Sequence, residues 1–316
     1  MKALQCTELG GPEKLIVSEV LDPVIAAEHV IIEVKSASVN FPDVLMIQGL
    51  YQFQPPLPFT PGGESAGIIT EIGDGVDNFK VGDKVCAHMG WQTYIKSKDT
   101  NPVLLKVPES SIPLSAYLGT VGMPGRTAYF GLNRVGKPKA GETLVVSAAS
   151  GAVGTVVGQL AKSYGCKVIG VAGGPAKCAF VKDELGFDEC IDYKAGNLAD
   201  DLKNACQDGI DIYFENVGGE VTRAVAPLLN HGARVPVCGF ISQYNVKDIF
   251  ETETPFHVLG KLTPKPEHRF FVVTEWADEW DKATDEISRS IFMLAFARRL
   301  CLSRCFIFLK ATNRSF

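Results

Sequence analysis

The sequence has no uninterrupted apolar run of the roughly 18 to 20 residues that a membrane-spanning helix needs. The nearest candidate, Ile291 to Leu309, is broken by Arg298, Arg299 and Arg304. Its nine cysteines show no repeated pair spacing, so neither a zinc knuckle nor a disulfide framework is expected. Free thiols in a reducing cytoplasm are the simplest reading. The opening MKALQCTELGGPEKL lacks an apolar core, which argues against a secretory signal. An excess of positive charge is also missing, with 31 Lys and Arg against 36 Asp and Glu. The last stretch, from Ser288, has six bases (Arg289, Arg298, Arg299, Arg304, Lys310, Arg314) and no acid. The remaining body therefore holds 25 bases against 36 acids, net −11. Such a body repels polyanions, so no nucleic-acid partner and no membrane partner are expected.

What is present is a globular composition, 46% hydrophobic and 21% charged, in 316 residues. Up to about Met123 the pattern is short strand-like runs punctuated by Gly and Pro: HVIIEVKSASV, SAGIITEIG, VGDKVCAH and VLLKVP. Segments spaced in this way predict a mostly antiparallel β domain. Beyond Pro124, apolar runs such as TLVVS, KVIGVA and IDIYFE alternate with helical patterns such as TVVGQLAKSYG and VTRAVAPLLN. That alternation predicts βαβ units and a parallel sheet covered on both faces. A loop around Pro264 and Pro266, a strand at Phe270 to Val273 and a helix from Asp278 follow.

The strongest local signal runs from Leu144 to Gly154, LVVSAASGAVG, followed by a helical pattern. Strand, glycine-rich turn and helix stand in the order of a dinucleotide fingerprint, with Ala149 first, Gly151 second and Gly154 third. Gly151 lets the backbone approach a pyrophosphate, Ala152 and Val153 complete the turn, and Gly154 lets the helix pack close. After the next strand, where an acid would hold the 2′-hydroxyl of NAD, the chain has Gly173-Gly174 and then Lys177. A cation without an acid there points to a 2′-phosphate, hence NADP(H).

These motifs resemble the zinc-independent medium-chain dehydrogenase/reductase superfamily over about residues 1 to 287. Asn40-Phe41-Pro42-Asp43-Val44, Gly49-Leu50-Tyr51 and Pro61-Gly62-Gly63-Glu64 look like quinone oxidoreductases of the ζ-crystallin type. GMPGRTAYFGL, SAASGAVG, GGPAKC, DYK, FENVGG and VCGFISQYN look like the leukotriene B4 dehydrogenase, curcumin reductase and alkenal reductase branch. The resemblance implies an α/β protein with a GroES-like, mostly antiparallel β domain over 1–123, completed in part by 262–287. It also implies a doubly wound parallel-sheet (Rossmann) domain over 124–261, with 288–316 left as an atypical basic tail. It places Gly173, Lys177 and Tyr193 at the adenosine 2′-phosphate, and Asn216 with Cys238, Gly239 and Phe240 at the nicotinamide end. Tyr244 would sit near the nicotinamide, and Phe271 to Val273 would line its pocket. Cys238 reads as a packing residue, because nothing near it in sequence lowers a thiol pKa. Metal-dependent relatives bind zinc through an early-loop Cys and the His of a Gly-His-Glu run. Here the loop is Asn40-Phe41-Pro42-Asp43 and Gly63 stands at the His position, so no metal is expected.

The implied chemistry is hydride transfer from NADPH to the β-carbon of a conjugated aldehyde or ketone, with Tyr244 as hydrogen-bond donor to the carbonyl oxygen. Quinone reduction is the alternative, with Asn40, Asp43 and Tyr51 facing the ring. A third reading is a protein that binds NADPH with little catalysis. Its motive is the ending AFARRLCLSRCFIFLKATNRSF, which replaces the Val-rich closing strand of relatives and would leave a sheet edge unpaired. By analogy the chain pairs as a homodimer, with Val235 to Gly239 as the edge strand.

Overall fold

A computed structural model of the chain describes residues 1–51, 53–87, 90–244, 246, 252–298 and 309–310, with backbone alone for 291–298 and 309–310. It separates into two units, one built on Met1–Gly119 and the other beginning at Thr120.

The first unit is a β domain. Its elements are β1 (Lys2–Cys6), β2 (Leu15–Glu19), β3 (His29–Ala37), α1 (Phe41–Gln48), β4 (Ser65–Ile72), β5 (Lys84–Ala87), β6 (Tyr94–Lys98) and β7 (Leu105–Lys106). β1 and β2 form a hairpin, and the main sheet runs β3-β4-β5-β7 with β6 on β3, all antiparallel. Alternation does the sorting here: in β6 Ile95 and Ser97 point inward while Lys96 and Lys98 stay exposed. The inward set, including Val30, Ile32, Ile69, Val85 and Ile95, forms one apolar core.

The second unit opens with α2 (Met123–Phe130) and then follows the βα rhythm. It comprises β8 (Thr143–Ser147), α3 (Gly154–Ser163), β9 (Lys167–Ala172), α4 (Pro175–Ala179), β10 (Glu189–Asp192), α5 (Leu198–Ala205), β11 (Ile210–Phe214), α6 (Gly219–Val225), β12 (Leu229–Val237), α7 (Pro255–Gly260), β13 (Glu267–Phe270) and α8 (Trp280–Arg298). The sheet order is β10-β9-β8-β11-β12-β13 and every pairing is parallel. All five residues of β8 are buried, as a strand covered on both faces must be. The expected antiparallel domain and doubly wound domain are therefore both present.

Three expectations are corrected. Residues 262–287 do not complete the β domain: β13 extends the parallel sheet, and α8 packs on α2 and α3 through contacts such as Arg126 Nε to Thr284 Oγ1 at 3.0 Å. Val235–Val237 is no sheet edge, since β12 lies between β11 and β13 and its apolar side chains are buried on both sides. The edge is β13. The edge of β3 is not left wholly open either, because β14 (Leu309–Lys310) pairs antiparallel with Ala37 and Ser36. Next to that pairing lies an apolar cavity of about 160 Å³ bordered by Leu4, Val17, Val34, Ala37 and Trp91. Residues 299–308 and 311–316 of the basic tail lie outside the described residues. No helix among the described residues is long and apolar enough to cross a membrane.

Candidate functional site

In the parallel sheet the strand order reverses between β8 and β11, and in such sheets a crevice opens at the carboxyl ends of the strands flanking that point. The glycine-rich turn leaves β8 there. Ala148 adopts φ 50°, the left-handed region that a non-glycine residue enters only under constraint. The constraint is visible: Gly151 N–H donates to Ala148 O at 2.8 Å and Ala149 N–H to Val171 O at 3.0 Å. A Cβ on Gly154 would lie 2.3 Å from Ala148 O, so the first residue of α3 packs on the turn with no room for a side chain. Ala149 and Gly154 are buried, whereas Gly151, Ala152 and Val153 form the reachable rim. At the start of α3 Thr155 N–H donates to Gly151 O and the Val156 and Val157 N–H groups to Val153 O, so the surface that fits a pyrophosphate is the reachable backbone of Gly151–Val153 at the positive end of the helix dipole.

The carboxyl end of β9 carries no acid. Gly173 lies under Tyr193, whose hydroxyl would meet a Cβ there at 2.9 Å, and Gly174 at φ 96° caps α4. The acid that approaches comes from β10. Asp192 Oδ1 accepts Gly174 N–H at 2.7 Å and Lys194 N–H at 3.0 Å, and these bonds hold its carboxyl below the usual range. Lys177 and Tyr193 are both exposed on this rim, and the Lys194 ammonium is 6.0 Å from the Tyr193 ring. The donor set is cationic and phenolic, which suits a phosphate better than a ribose hydroxyl.

Across the switch point, Asn216 follows β11. Its Nδ2 donates to Ser147 O at 2.8 Å and its backbone N–H to Ser147 Oγ at 2.8 Å, so the amide is pinned to the end of β8. Cys238 and Gly239 N–H donate to Glu215 O at 2.9 and 3.2 Å, bringing the end of β12 alongside. Tyr244 folds back over that end: its hydroxyl accepts Phe240 N–H at 3.2 Å and would lie 2.6 Å from a Cβ on Gly239. Burial raises the Tyr244 phenol above its ordinary pKa, so it remains a protonated donor at neutral pH. Burial, with the Glu215 charge adding, pushes the Cys238 thiol up to about 12. A thiol held protonated in this way is a packing residue. Phe271 is buried against Phe214, ring centroids 6.1 Å apart, and so belongs to the core of this unit. Val273 is half-buried beyond the end of β13.

In the β domain, Asp43 turns out not to be a ring-facing acid. It is 1% exposed, its Oδ2 accepts Asn40 N–H at 2.7 Å and its Oδ1 accepts Gly63 N–H at 2.7 Å. A buried carboxylate needs such donors, and here they tie the loop before α1 to the loop before β4. Asn40 Nδ2 donates to Ser38 Oγ at 2.9 Å and Glu64 Oε2 at 2.8 Å, reinforcing the same knot. Tyr51 is half-buried in the bend after α1. Among the described residues no three His, Cys, Asp or Glu side chains gather as a metal site requires.

Sequence reasoning missed Ser147, Glu215 and Thr222, which join one network behind Asn216. The available signal was an acid at the end of an apolar strand, IDIYFE, where burial makes a charge expensive unless the fold uses it.

Comparison with known proteins agrees with this geometry. The alcohol dehydrogenase GroES-like domain matches residues 26–130 and the zinc-binding dehydrogenase family model matches residues 152–285. An NADPH-dependent curcumin reductase of Escherichia coli is 51% identical over 54% of this chain and 49% of its own length. A 2-alkenal reductase (NADP(+)-dependent) of Nicotiana tabacum is 42% identical over 73% of this chain and 66% of its own. These matches thus span 49% and 66% of the curated relatives' own lengths. The crystal structure of CurA in complex with NADPH from Vibrio vulnificus superposes with a TM-score of 0.81, at 37% identity, over 92% of this chain and 88% of that one. On its two matched domains and this likeness, the chain belongs to the zinc-independent branch of the medium-chain dehydrogenase/reductase superfamily.

Proposed function

We propose that this chain is an NADPH-dependent reductase of conjugated carbonyl compounds, reducing the C=C bond of an enal or enone. The observation that carries the cofactor is the end of β9, where Gly173, Lys177 and Tyr193 stand without an acid directed at a ribose hydroxyl. The bare backbone at Gly151 and the pinned amide of Asn216 fit the pyrophosphate and the nicotinamide end of the same molecule. When bound, NADPH supplies the hydride. The chain's own part is to hold the ring end through Asn216 and the Cys238-Gly239 backbone, and to place a donor where negative charge develops on the substrate oxygen. Tyr244 is that donor in this reading, its proton retained by burial. The names of relatives, a curcumin reductase and a 2-alkenal reductase, support enones as the substrate class.

Quinone reduction stays the competing reading, but two of the residues that suggested it, Asn40 and Asp43, are engaged within the β domain. Steady-state NADPH consumption with a medium-length 2-alkenal beside a small quinone separates them. Turnover of the alkenal with the higher kcat/KM is expected, and no turnover of any enone refutes the proposal. We further read the chain as cytoplasmic, a reading that the irregular spacing of its nine cysteines supports. In this reading it is a homodimer paired along β13, which light scattering tests.

A further inference from the structure

Glu215 is fully buried, and no cationic partner for it occurs among the described residues' ion pairs. Its compensation is hydrogen bonding. Oε1 accepts Val217 N–H at 2.7 Å, Gly218 N–H at 2.9 Å and the Ser147 hydroxyl at 3.1 Å, while Oε2 receives the Thr222 hydroxyl. Its backbone carbonyl collects the N–H groups of Cys238 and Gly239, and its N–H donates to Pro236 O at 2.9 Å. One residue thus ties together the carboxyl ends of β8, β11 and β12, and the Ser147 it holds also pins both the backbone and the side chain of Asn216.

We propose that Glu215 is the positioning residue of the nicotinamide end: its buried carboxylate fixes Asn216 and lends the site a negative charge that favours the oxidised, cationic ring over the reduced, neutral one. The inference rests on reading this site as an NADP(H) site. The charge reaches neighbouring groups of the same site, since it adds to the burial that raises both the Cys238 thiol and the Tyr244 phenol. A buried anion surrounded by fixed dipoles acts over several ångströms, because little water screens it.

The hydrogen-bond pattern makes the test clean. In Glu215→Gln the amide oxygen keeps the three donors at Oε1, and the amide N–H₂ faces the Thr222 hydroxyl, which accepts in place of donating. The charge is removed while the network survives. Affinities for NADP⁺, NADPH and 2′,5′-ADP are measured by titration calorimetry and ligand fluorescence. Relative to NADPH, NADP⁺ binding by E215Q is expected to weaken roughly fivefold to thirtyfold. 2′,5′-ADP, which carries no nicotinamide, should bind unchanged. In Ser147→Ala, which removes the hydroxyl that joins Glu215 to the Asn216 backbone N–H but keeps the Asn216 Nδ2 bond to the residue 147 carbonyl and leaves the charge, NADPH should weaken while 2′,5′-ADP and the NADP⁺ to NADPH ratio hold. Equal changes for NADP⁺ and NADPH in E215Q, or undiminished NADPH binding by S147A, overturn the inference. Should E215Q fail to fold, the S147A result alone decides the positioning role. A wild-type protein that binds neither NADPH nor 2′,5′-ADP refutes the site reading itself, an outcome distinct from equal losses in a variant.

Discussion

Replacing Gly154 by Ala sets two opposing effects against each other at the first residue of α3. A helix gains about 1 kcal/mol when Ala replaces Gly. Against that, the new Cβ would lie 2.3 Å from Ala148 O, 2.9 Å from Ala149 Cα and 3.0 Å from Ala148 C. These are backbone atoms of a turn already held at positive φ by the Gly151 and Ala149 hydrogen bonds, so no side chain can swing aside. Relief requires the helix start to retreat by about 1 Å, an overpacking that costs about 2–3 kcal/mol, the upper part of the usual range, because only backbone can yield. The clash wins, and a net loss of about 1–2 kcal/mol lowers the melting temperature by roughly 2–8 °C. The same retreat displaces the Gly151–Val153 backbone, which the Thr155, Val156 and Val157 N–H groups hold against α3, from a pyrophosphate, so NADPH affinity falls about tenfold, equivalent to one ordinary hydrogen bond. Thermal unfolding and NADPH titration measure both. Gly260→Ala serves as control, because nothing lies within 4 Å of its Cβ and it ends α7, so it should leave both readings near wild type. A G154A protein as stable and as tight-binding as wild type refutes the close packing of helix on turn.

Other perturbations follow from the same geometry. Lys177→Ala should raise the KM for NADPH about tenfold or more and leave that for NADH unchanged, as steady-state kinetics with both cofactors would show. Tyr244→Phe should lower kcat about a hundredfold with little change in NADPH affinity, if the phenol donates to the developing charge. Glu142→Gln breaks the bidentate pair that Arg234 makes at 2.9 and 2.6 Å, both side chains being less than a fifth exposed, and should cost about 2 kcal/mol in urea unfolding. For Asp188, burial acts upward, but the Lys162 ammonium and Val168 N–H outweigh it and hold the carboxyl below its ordinary 3.8. A depressed folded pKa stabilises above the unfolded value and is lost as pH falls through the folded one, so the wild type should lose stability below about pH 4 more steeply than Asp188→Asn.

Much of the second unit was legible because its signals are local. The runs VVS and IDIYF have to be covered on both faces, and Gly151 and Gly154 stand where a strand turns into a helix, so the parallel sheet and its turn follow from neighbours in sequence. The Gly173-Gly174-Lys177 cofactor signal is equally local. What could not be read depends on pairing at long range. Nothing near Val235 says that β13, thirty residues on, will cover its strand, and so β12 was misread as an edge. Asp43 reads as a ring-facing acid in sequence because its donor Gly63 N–H is twenty residues away. Glu215 passed unnoticed for the same reason, as its partner Ser147 lies sixty-eight residues earlier on the adjacent strand.

The central claim is that hydride goes to the β-carbon of a conjugated carbonyl. Reduction of a 2-alkenal with NADPH deuterated at the transferable C4 position, followed by mass and NMR analysis of the product, tests it most directly. A saturated aldehyde carrying deuterium at C3 is expected. Deuterium at the carbonyl carbon of an allylic alcohol, or no labelled product at all, would contradict it.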